Sequence, residues 1–222
     1  GGRGRELAQF HARDRLGLRT RGQLKSPRAR TRTTTEPGHR ASVEGRAPSP
    51  GFRTPVDWSS QLPPDRYPLT FRDLNIDDDI VAALEAKGIV EPFPIQTQTI
   101  PLGLAKQDII GQAKTGTGKT FGFGLPVIQA LGLDPAPGVK ALIVVPTREL
   151  CVQVAEDLEL AASNRPTQVA AIYGGKAYEG QVEQLKAGAQ IVVGTPGRLL
   201  DLAGQRLLSL KDVQVMVLDE AD

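Results

Sequence analysis

The sequence predicts an α/β fold, in which a parallel sheet carries helices on both faces. Five short, mostly β-branched apolar runs succeed one another, at residues 109–110, 141–145, 169–172, 191–193 and 213–218. Stretches with helical periodicity lie between them, at residues 119–131, 148–162, 177–187 and 197–203. Runs that are apolar throughout suit strands buried on both faces. Their alternation with helices favours right-handed crossovers between parallel strands.

Two further helices are expected before the first of these strands. Asn75 and the three acids at 77–79 indicate a helix start with negative charge in its first turn, and Gly88 should end that helix. Pro92 and Pro94 then open a second helix, which Pro101 should kink or end because proline has no backbone N–H.

A basic segment precedes the predicted domain. Residues 1–66 hold 14 Lys and Arg against 6 Asp and Glu, whereas residues 67–222 hold 13 against 19. Arginine, glycine and proline are frequent in residues 1–66 and apolar periodicity is missing, so we expect a disordered tail there and a folded domain at 67–222. The arginines suit non-specific binding to RNA phosphates, while a solvated tail and a transit peptide are the alternatives.

Composition excludes several classes of protein. The single cysteine, Cys151, excludes an internal disulfide, and its place in a predicted helix favours a small buried hydrophobe over a reactive thiol. Both histidines lie in the tail, so the spacing of a zinc site is missing. The longest apolar runs, such as 141–145, are far shorter than the roughly 20 residues of a membrane helix. We therefore expect a soluble, cytoplasmic protein.

A glycine-rich loop follows the first predicted strand and precedes a predicted helix. Gly116 and Gly118 lack Cβ atoms, so successive backbone N–H groups can surround a phosphate at the positive end of that helix. Lys119 provides a charge for the β and γ phosphates, and Thr120 provides a hydroxyl for Mg²⁺. A flexible loop that happens to precede a lysine is the alternative. The predicted nucleotide-binding residues are Ala113, Lys114, Thr115, Gly116, Thr117, Gly118, Lys119 and Thr120.

The last apolar run delivers two acids to its carboxyl end. Ligands of open α/β sheets bind at this end of the strands. Asp219 would lie near the Mg²⁺ that accompanies the phosphates, and Glu220 could polarise an attacking water. Together with the glycine-rich loop, these acids predict the two halves of an NTPase centre, with Lys119, Asp219 and Glu220 as catalytic residues and Thr120 and Asp219 as metal ligands.

Ordered motifs make residues 67–222 resemble the DEAD-box ATP-dependent RNA helicases. Asp219-Glu220-Ala221-Asp222 is similar to that family's signature, and residues 113–120 are similar to its phosphate loop, which accepts alanine at the first position. Between them lie PTREL at 146–150, GG at 174–175 and TPGR at 195–198, and residues 88–96 resemble the family's Q motif. Ile89 and Cys151 depart from residues common in the family, at positions without a chemical role.

The resemblance implies a RecA-like domain, the first of two, with ATP and Mg²⁺ as its cofactors. It assigns Gln96 to adenine, and an amide that both donates and accepts suits the N6/N7 edge of that base. Phe71 occupies the place of an upstream aromatic that could stack on adenine. A surface glutamine and an ordinary core phenylalanine are the alternatives for these two residues.

The resemblance also implies that single-stranded RNA is held by its backbone, without base specificity. The residues assigned to RNA binding are Pro146, Thr147, Arg148, Gly174, Gly175, Thr195, Pro196, Gly197 and Arg198. Arg148 could instead pair with Glu149, and Arg198 with Asp201, to fix local structure.

The chain starts with two glycines and no methionine, which indicates either an internal piece of a longer protein or a start placed too far upstream. The resemblance implies a second RecA-like domain beyond Asp222, where this chain stops. In the resembling sheets, the strand after the acidic tetrad lies between the phosphate-loop strand and the tetrad's own strand. We therefore expect a gap in the middle of the sheet and hypothesise that residues 67–222 are not stable alone. Another P-loop ATPase, such as a DNA helicase, and a non-catalytic RNA-binding module are the alternative functions.

Overall fold

A computed structural model describes residues 6–12 as backbone, and residues 69–114 and 116–221 in full. The helices of these residues are α1 (Asp78–Glu85), α2 (Pro94–Leu104), α3 (Lys119–Leu131), α4 (Arg148–Ala161), α5 (Glu179–Lys186) and α6 (Pro196–Gly204). Their strands are β1 (Glu6–Ala12), β2 (Ile109–Ala113), β3 (Ala141–Val144), β4 (Val169–Ile172), β5 (Ile191–Gly194) and β6 (Val215–Leu218). No helix in this part of the chain has both the length and the apolar character that a membrane span requires.

The strands form one sheet in the order β2-β1-β6-β3-β5-β4. Strand β3 pairs in parallel with β6 and with β5, and β5 pairs in parallel with β4. The order departs from the chain order, which is the mark of crossover connections through helices. The predicted parallel α/β fold is therefore confirmed, and α3 spans the residues that the periodicity predicted.

Strand β1 corrects the prediction of a gap in the sheet. It runs antiparallel to β2 on one side and to β6 on the other, with Phe10 in register with both Ile109 and Val217. The disorder expected for residues 1–66 is thus wrong for Glu6–Ala12, and the rest of that segment lies outside the described residues. The physical reason is non-local, because two strand edges offer a full ladder of backbone partners to a short segment without glycine or proline.

Helices cover both faces of the sheet. Successive strand residues point to opposite faces. Ile143 and Val193 therefore pack with α1 to α4, whereas Leu142 and Val192 pack with α5 and α6. This confirms helices on both faces, with two clusters of buried side chains that the sheet separates.

Prolines inside helices α2 and α3 accompany close packing between them. Helix α2 continues through Pro101 to Leu104, so the expectation that Pro101 ends it is wrong. Pro126 has no N–H, so Gly122 O lacks its usual helical hydrogen-bond partner. The Thr99 hydroxyl, which also donates to Ile95 O, lies 3.3 Å from Gly122 O. Gly103 faces Pro126 so closely that an added Cβ would lie 2.8 Å from it. Packing against α3 therefore offsets the cost of the prolines.

A buried arginine ties the start of α1 to the end of α4. The Arg165 side chain is 1% exposed, and its guanidinium donates to Asp77 and, at 2.6 Å and 2.8 Å, to the two carboxylate oxygens of Asp79. Nη1 donates to Ile128 O of α3 at 3.3 Å. Because a buried guanidinium without partners is costly, this cluster holds three helices in one arrangement.

We expect Gln9→Pro to loosen the sheet on both sides of β1. Proline removes a backbone donor from the middle of a central strand. Hydrogen exchange at Gly111 of β2 and Val217 of β6 should become faster, while exchange at Ala170 of β4 should not change. Gln9→Thr, which favours a strand, is the matched control. Unchanged exchange at β2 and β6 in the proline variant would show that β1 does not support them.

The Arg165 cluster also predicts a pH dependence of stability. Arg165 holds the pKa of the Asp79 carboxyl below its ordinary value, chiefly by hydrogen bonding. Because the folded-state pKa is lowered, the pair stabilises the fold above about pH 4 and this stability is lost as pH falls through the folded-state pKa. In urea unfolding followed by circular dichroism, Asp79→Asn should flatten the loss of stability in acid. Asp134→Asn, a change at an exposed carboxylate in the loop after α3, should retain the wild-type slope.

Candidate functional site

One rim of the sheet collects the carboxyl ends of β2, β3, β5 and β6. Helices α3, α4 and α6 begin within a few residues of β2, β3 and β5, so their amino-terminal ends point toward this rim. Each such end carries unsatisfied backbone N–H groups and a partial positive charge. The rim is therefore suited to anions such as phosphates before any side chain is considered.

The glycine-rich loop spans the short distance between β2 and α3. Gly116 and Gly118 have φ angles of 79° and 76°, a region that favours glycine. The Thr117 hydroxyl donates to Lys114 O at 2.6 Å and closes the turn. Lys119 and Thr120 form the first turn of α3, and Ala113 is the last residue of β2. The predicted strand-loop-helix context is present, and Thr115 lies outside the described residues.

Gln96 connects α2 to this loop. Its Nε2 donates to Gly118 O at 2.8 Å, and its Oε1 accepts from Phe93 N at 2.9 Å. The residue is 1% exposed, so the surface-glutamine alternative is wrong. An amide can donate twice and accept twice, so one donor and one acceptor position of Gln96 remain beyond these two bonds.

Phe71 lies in the core. Its side chain is 0% exposed and packs in the cluster that includes α1 and α3. Neither face of the ring is open to a base in this structure, so the prediction that Phe71 stacks on adenine is corrected to the alternative of a core phenylalanine. Sequence position alone did not reveal this burial, because it depends on helices that pack over the ring.

The acidic end of β6 forms a tight turn at the rim. Asp219 is 7% exposed, its N–H donates to Val144 O at 3.0 Å, and its Oδ1 accepts from Glu220 N at 3.1 Å. Glu220 has a φ of 53°, which is uncommon for a residue other than glycine and turns the chain sharply after Asp219. Asp222, the last acid of the tetrad, lies outside the described residues.

Thr120 and Asp219 each offer an oxygen atom as a metal ligand near the same rim, and oxygen ligands fit Mg²⁺. Mg²⁺ commonly takes one or two protein oxygens and completes its shell with phosphates and water. The residues described here contain no cluster of three or more His, Cys, Asp or Glu that could hold a metal by itself. Asp157, which the sequence did not single out, accepts a hydrogen bond from Thr120, while burial raises the pKa of its carboxyl.

Loops after β3 and β4 meet on the other part of the rim. Thr147 caps α4, since its Oγ1 accepts from Leu150 N at 3.3 Å. Arg148 pairs with Glu149, the alternative that the sequence left open, and both side chains are about two thirds exposed. Gly175 has a φ of 84°, and a Cβ there would lie 3.8 Å from Arg148 Nη1. An exposed ion pair of this kind is weak, so an anion can take the place of Glu149.

The loop after β5 joins the same surface through Arg198. Its Nη2 donates to Lys176 O at 3.0 Å, and its guanidinium lies over the Tyr178 ring at 5.8 Å. Nη1 is buried without a hydrogen-bond partner among the described residues. The alternative pair with Asp201 is not present, since the Asp201 carboxylate accepts from Gln205 instead.

Gln181 supports the backbone directly before the glycine pair, although no motif in the sequence indicated this residue. Its side chain is 7% exposed and exchanges two hydrogen bonds of 3.1 Å with the backbone of Tyr173, directly before Gly174.

Thr195, Pro196 and Gly197 form the start of α6, where the Thr195 N–H donates to Ile172 O at the end of β4. Pro146 and Gly174 are exposed in the loops after β3 and β4.

Cys151 is a buried part of the core. Its thiol donates to Val193 O at 3.2 Å, and burial raises its pKa to about 11. It is therefore a thiol near neutral pH, as expected for a small hydrophobic residue.

Comparison with known proteins identifies a protein family whose model matches this chain. The model of the DEAD/DEAH box helicase family matches residues 93–222. The chain is 49% identical to the DEAD-box ATP-dependent RNA helicase CshA of Streptococcus pneumoniae over 154 residues, which are 69% of this chain and 29% of that protein. It is 45% identical to CshA of Bacillus subtilis over the same share of this chain and 31% of that protein. The chain thus spans less than a third of these relatives.

Solved structures support the fold. A DEAD box protein from Methanococcus jannaschii has a TM-score of 0.58 and 42% identity, covering 65% of this chain and 39% of that one. A hypothetical ATP-dependent RNA helicase from Sulfolobus tokodaii has a TM-score of 0.53 and 35% identity, covering 62% of this chain and 39% of that one.

Proposed function

The chain belongs to the DEAD/DEAH box helicase family, and from this premise we propose that it is part of an ATP-dependent RNA helicase. In this proposal, ATP binding and hydrolysis drive local unwinding of RNA duplexes or remodelling of RNA–protein complexes. The observation that carries the proposal is the shared rim, toward which both the Lys119 end of α3 and the Asp219 end of β6 lie.

Phosphate binding belongs to the glycine-rich loop. The N–H groups around Gly116 and Gly118 would surround the phosphates, and Lys119 would neutralise their charge. Thr120 and Asp219 would hold Mg²⁺, which would supply further neutralisation of charge on the transferring phosphate. Glu220 orients the attacking water, and Gln96 selects adenine with the donor and acceptor that its protein bonds leave available.

RNA binding belongs to the loops after β3, β4 and β5. Arg148 and Arg198 contact backbone phosphates, and the exposed glycines at 174 and 175 allow the RNA backbone close to the protein. Because these groups meet phosphate and sugar rather than base edges, binding should not depend on RNA sequence.

Efficient turnover requires a second RecA-like domain, which we propose for the whole protein. An arginine supplied to the transferring phosphate contributes on the order of 10³ to 10⁵ in rate. The 222-residue chain should therefore bind nucleotide and RNA weakly and hydrolyse ATP negligibly.

We expect Lys119→Ala to weaken ATP binding by about tenfold or more. Its ammonium makes charge-assisted hydrogen bonds to phosphates, and such bonds contribute about 1.5–3 kcal/mol each. Calorimetric titration of the 222-residue chain with ATP and Mg²⁺ measures this. Lys87→Ala, at an exposed position after α1, removes the same charge away from the site and should bind like the wild type. Equal affinities in all three proteins would contradict the nucleotide site.

Arg198→Ala should weaken binding of single-stranded RNA to a similar degree for unrelated sequences. Loss of one phosphate contact should also make the slope of log affinity against log salt shallower by about 0.7. Fluorescence anisotropy with labelled oligoribonucleotides at several salt concentrations measures both effects. Lys211→Ala removes an exposed charge from the loop before β6 and is the control. A loss restricted to certain sequences, or preference for DNA over RNA, would argue against the proposal.

A further inference from the structure

We propose that Phe93 supplies the aromatic contact for the base of the bound nucleotide. This inference rests on the nucleotide site proposed above and assigns a residue of that site that neither the motifs nor the correction of Phe71 identified. Phe93 is the residue directly before α2.

The exposure of Phe93 separates it from the other phenylalanines of residues 69–114 and 116–221. Its side chain is 52% exposed, whereas Phe71, Phe121 and Phe123 are buried. A single exposed hydrophobic residue is ordinary on a protein surface. Exposure alone therefore does not indicate a role for Phe93, and the position of its ring is what distinguishes it.

The ring lies against the phosphate loop. A Cβ added to Gly118 would come within 2.9 Å of Phe93 Cδ2 and within 2.3 Å of Gln96 Nε2. The aromatic ring and the amide are thus neighbours over the same glycine, directly before Lys119. When the phosphates of a nucleotide lie in the loop, its base can reach only a limited part of the protein surface. Phe93 provides exposed aromatic surface in that part.

The helix gives no reason of its own for phenylalanine at this position. Phe93 is the N-cap of α2 and makes no side-chain capping hydrogen bond. Serine, threonine, aspartate and asparagine are preferred at N-caps because their side-chain oxygen accepts from the first helical N–H groups. Phenylalanine therefore forgoes helix stability here, which is understandable if its ring has a separate task.

The two neighbours would divide base recognition between them. Gln96 is 1% exposed and already bonded to Phe93 N and Gly118 O, so it can add hydrogen bonds but offers little surface. Phe93 offers apolar surface and no hydrogen bonds. In this division Gln96 supplies selectivity for adenine, and Phe93 supplies affinity for any base.

The test compares a ligand that has a base with one that has none. ATP and inorganic tripolyphosphate, each with Mg²⁺, are titrated calorimetrically into the 222-residue wild type, Phe93→Ala and Phe93→Tyr. We expect Phe93→Ala to bind ATP about tenfold more weakly, in line with the loss of one stacking contact, and tripolyphosphate as the wild type does. Phe93→Tyr keeps the ring and should bind both ligands like the wild type.

The alternative results are separable. Equal loss of both ligands in Phe93→Ala would mean that Phe93 only supports the shape of the loop, and unchanged ATP affinity would mean that it does not touch the base; either overturns the inference. If Phe93→Ala fails to fold, Phe93→Leu, which fills similar space without an aromatic face, is compared in the same way. A wild type that binds tripolyphosphate no more weakly than ATP would overturn the inference alone. Binding of neither ligand would overturn the proposed function as well.

Discussion

Backbone pairing of β1 with both β2 and β6 is the interaction on which the geometry of the proposed nucleotide site depends. Among the described residues, β2 is joined to the rest of the sheet through β1 alone. Strand β2 leads into the phosphate loop and β6 leads into the acidic residues. One intervening strand sets these two ends about 10 Å apart, because adjacent strands lie about 4.8 Å from each other. The separation of the strand ends that lead to Lys119 and Asp219 is therefore set by the sheet rather than by either loop.

The strand order also relates the nucleotide site to the RNA surface. The acidic strand β6 lies between β1 and β3, and the Asp219 N–H donates to Val144 O, three residues before Thr147. Beyond β3 come β5 and β4, whose loops carry Arg198 and the glycine pair at 174–175. The groups proposed to bind the nucleotide phosphates thus lie on one half of the rim and those proposed to bind RNA on the other, with the acidic turn at their boundary.

Most of the fold was predictable because its signals are local. Periodicity located α3 at its observed bounds, and the apolar runs marked the strands that the structure has at β3, β4, β5 and β6. The failures share one cause. Strand β1 lies in a segment whose composition indicates disorder, and Pro101, expected to kink or end its helix, does not end it. In both places partners distant in sequence supply what the local sequence lacks, namely strand edges for β1 and packing against α3 for α2.

Residue type and short spacing were enough to predict which groups suit a phosphate, a metal or a sugar-phosphate backbone, because these are local properties of the chain. Lys119, Asp219 and Arg198 were proposed in that way. Which side chains are exposed at the rim and which are buried in the core followed from tertiary packing. It buried Phe71, exposed Phe93 beside Gly118, and gave Gln96 its bonds to the loop. Burial and long-range contact depend on elements brought together across the whole chain, and no local pattern records them.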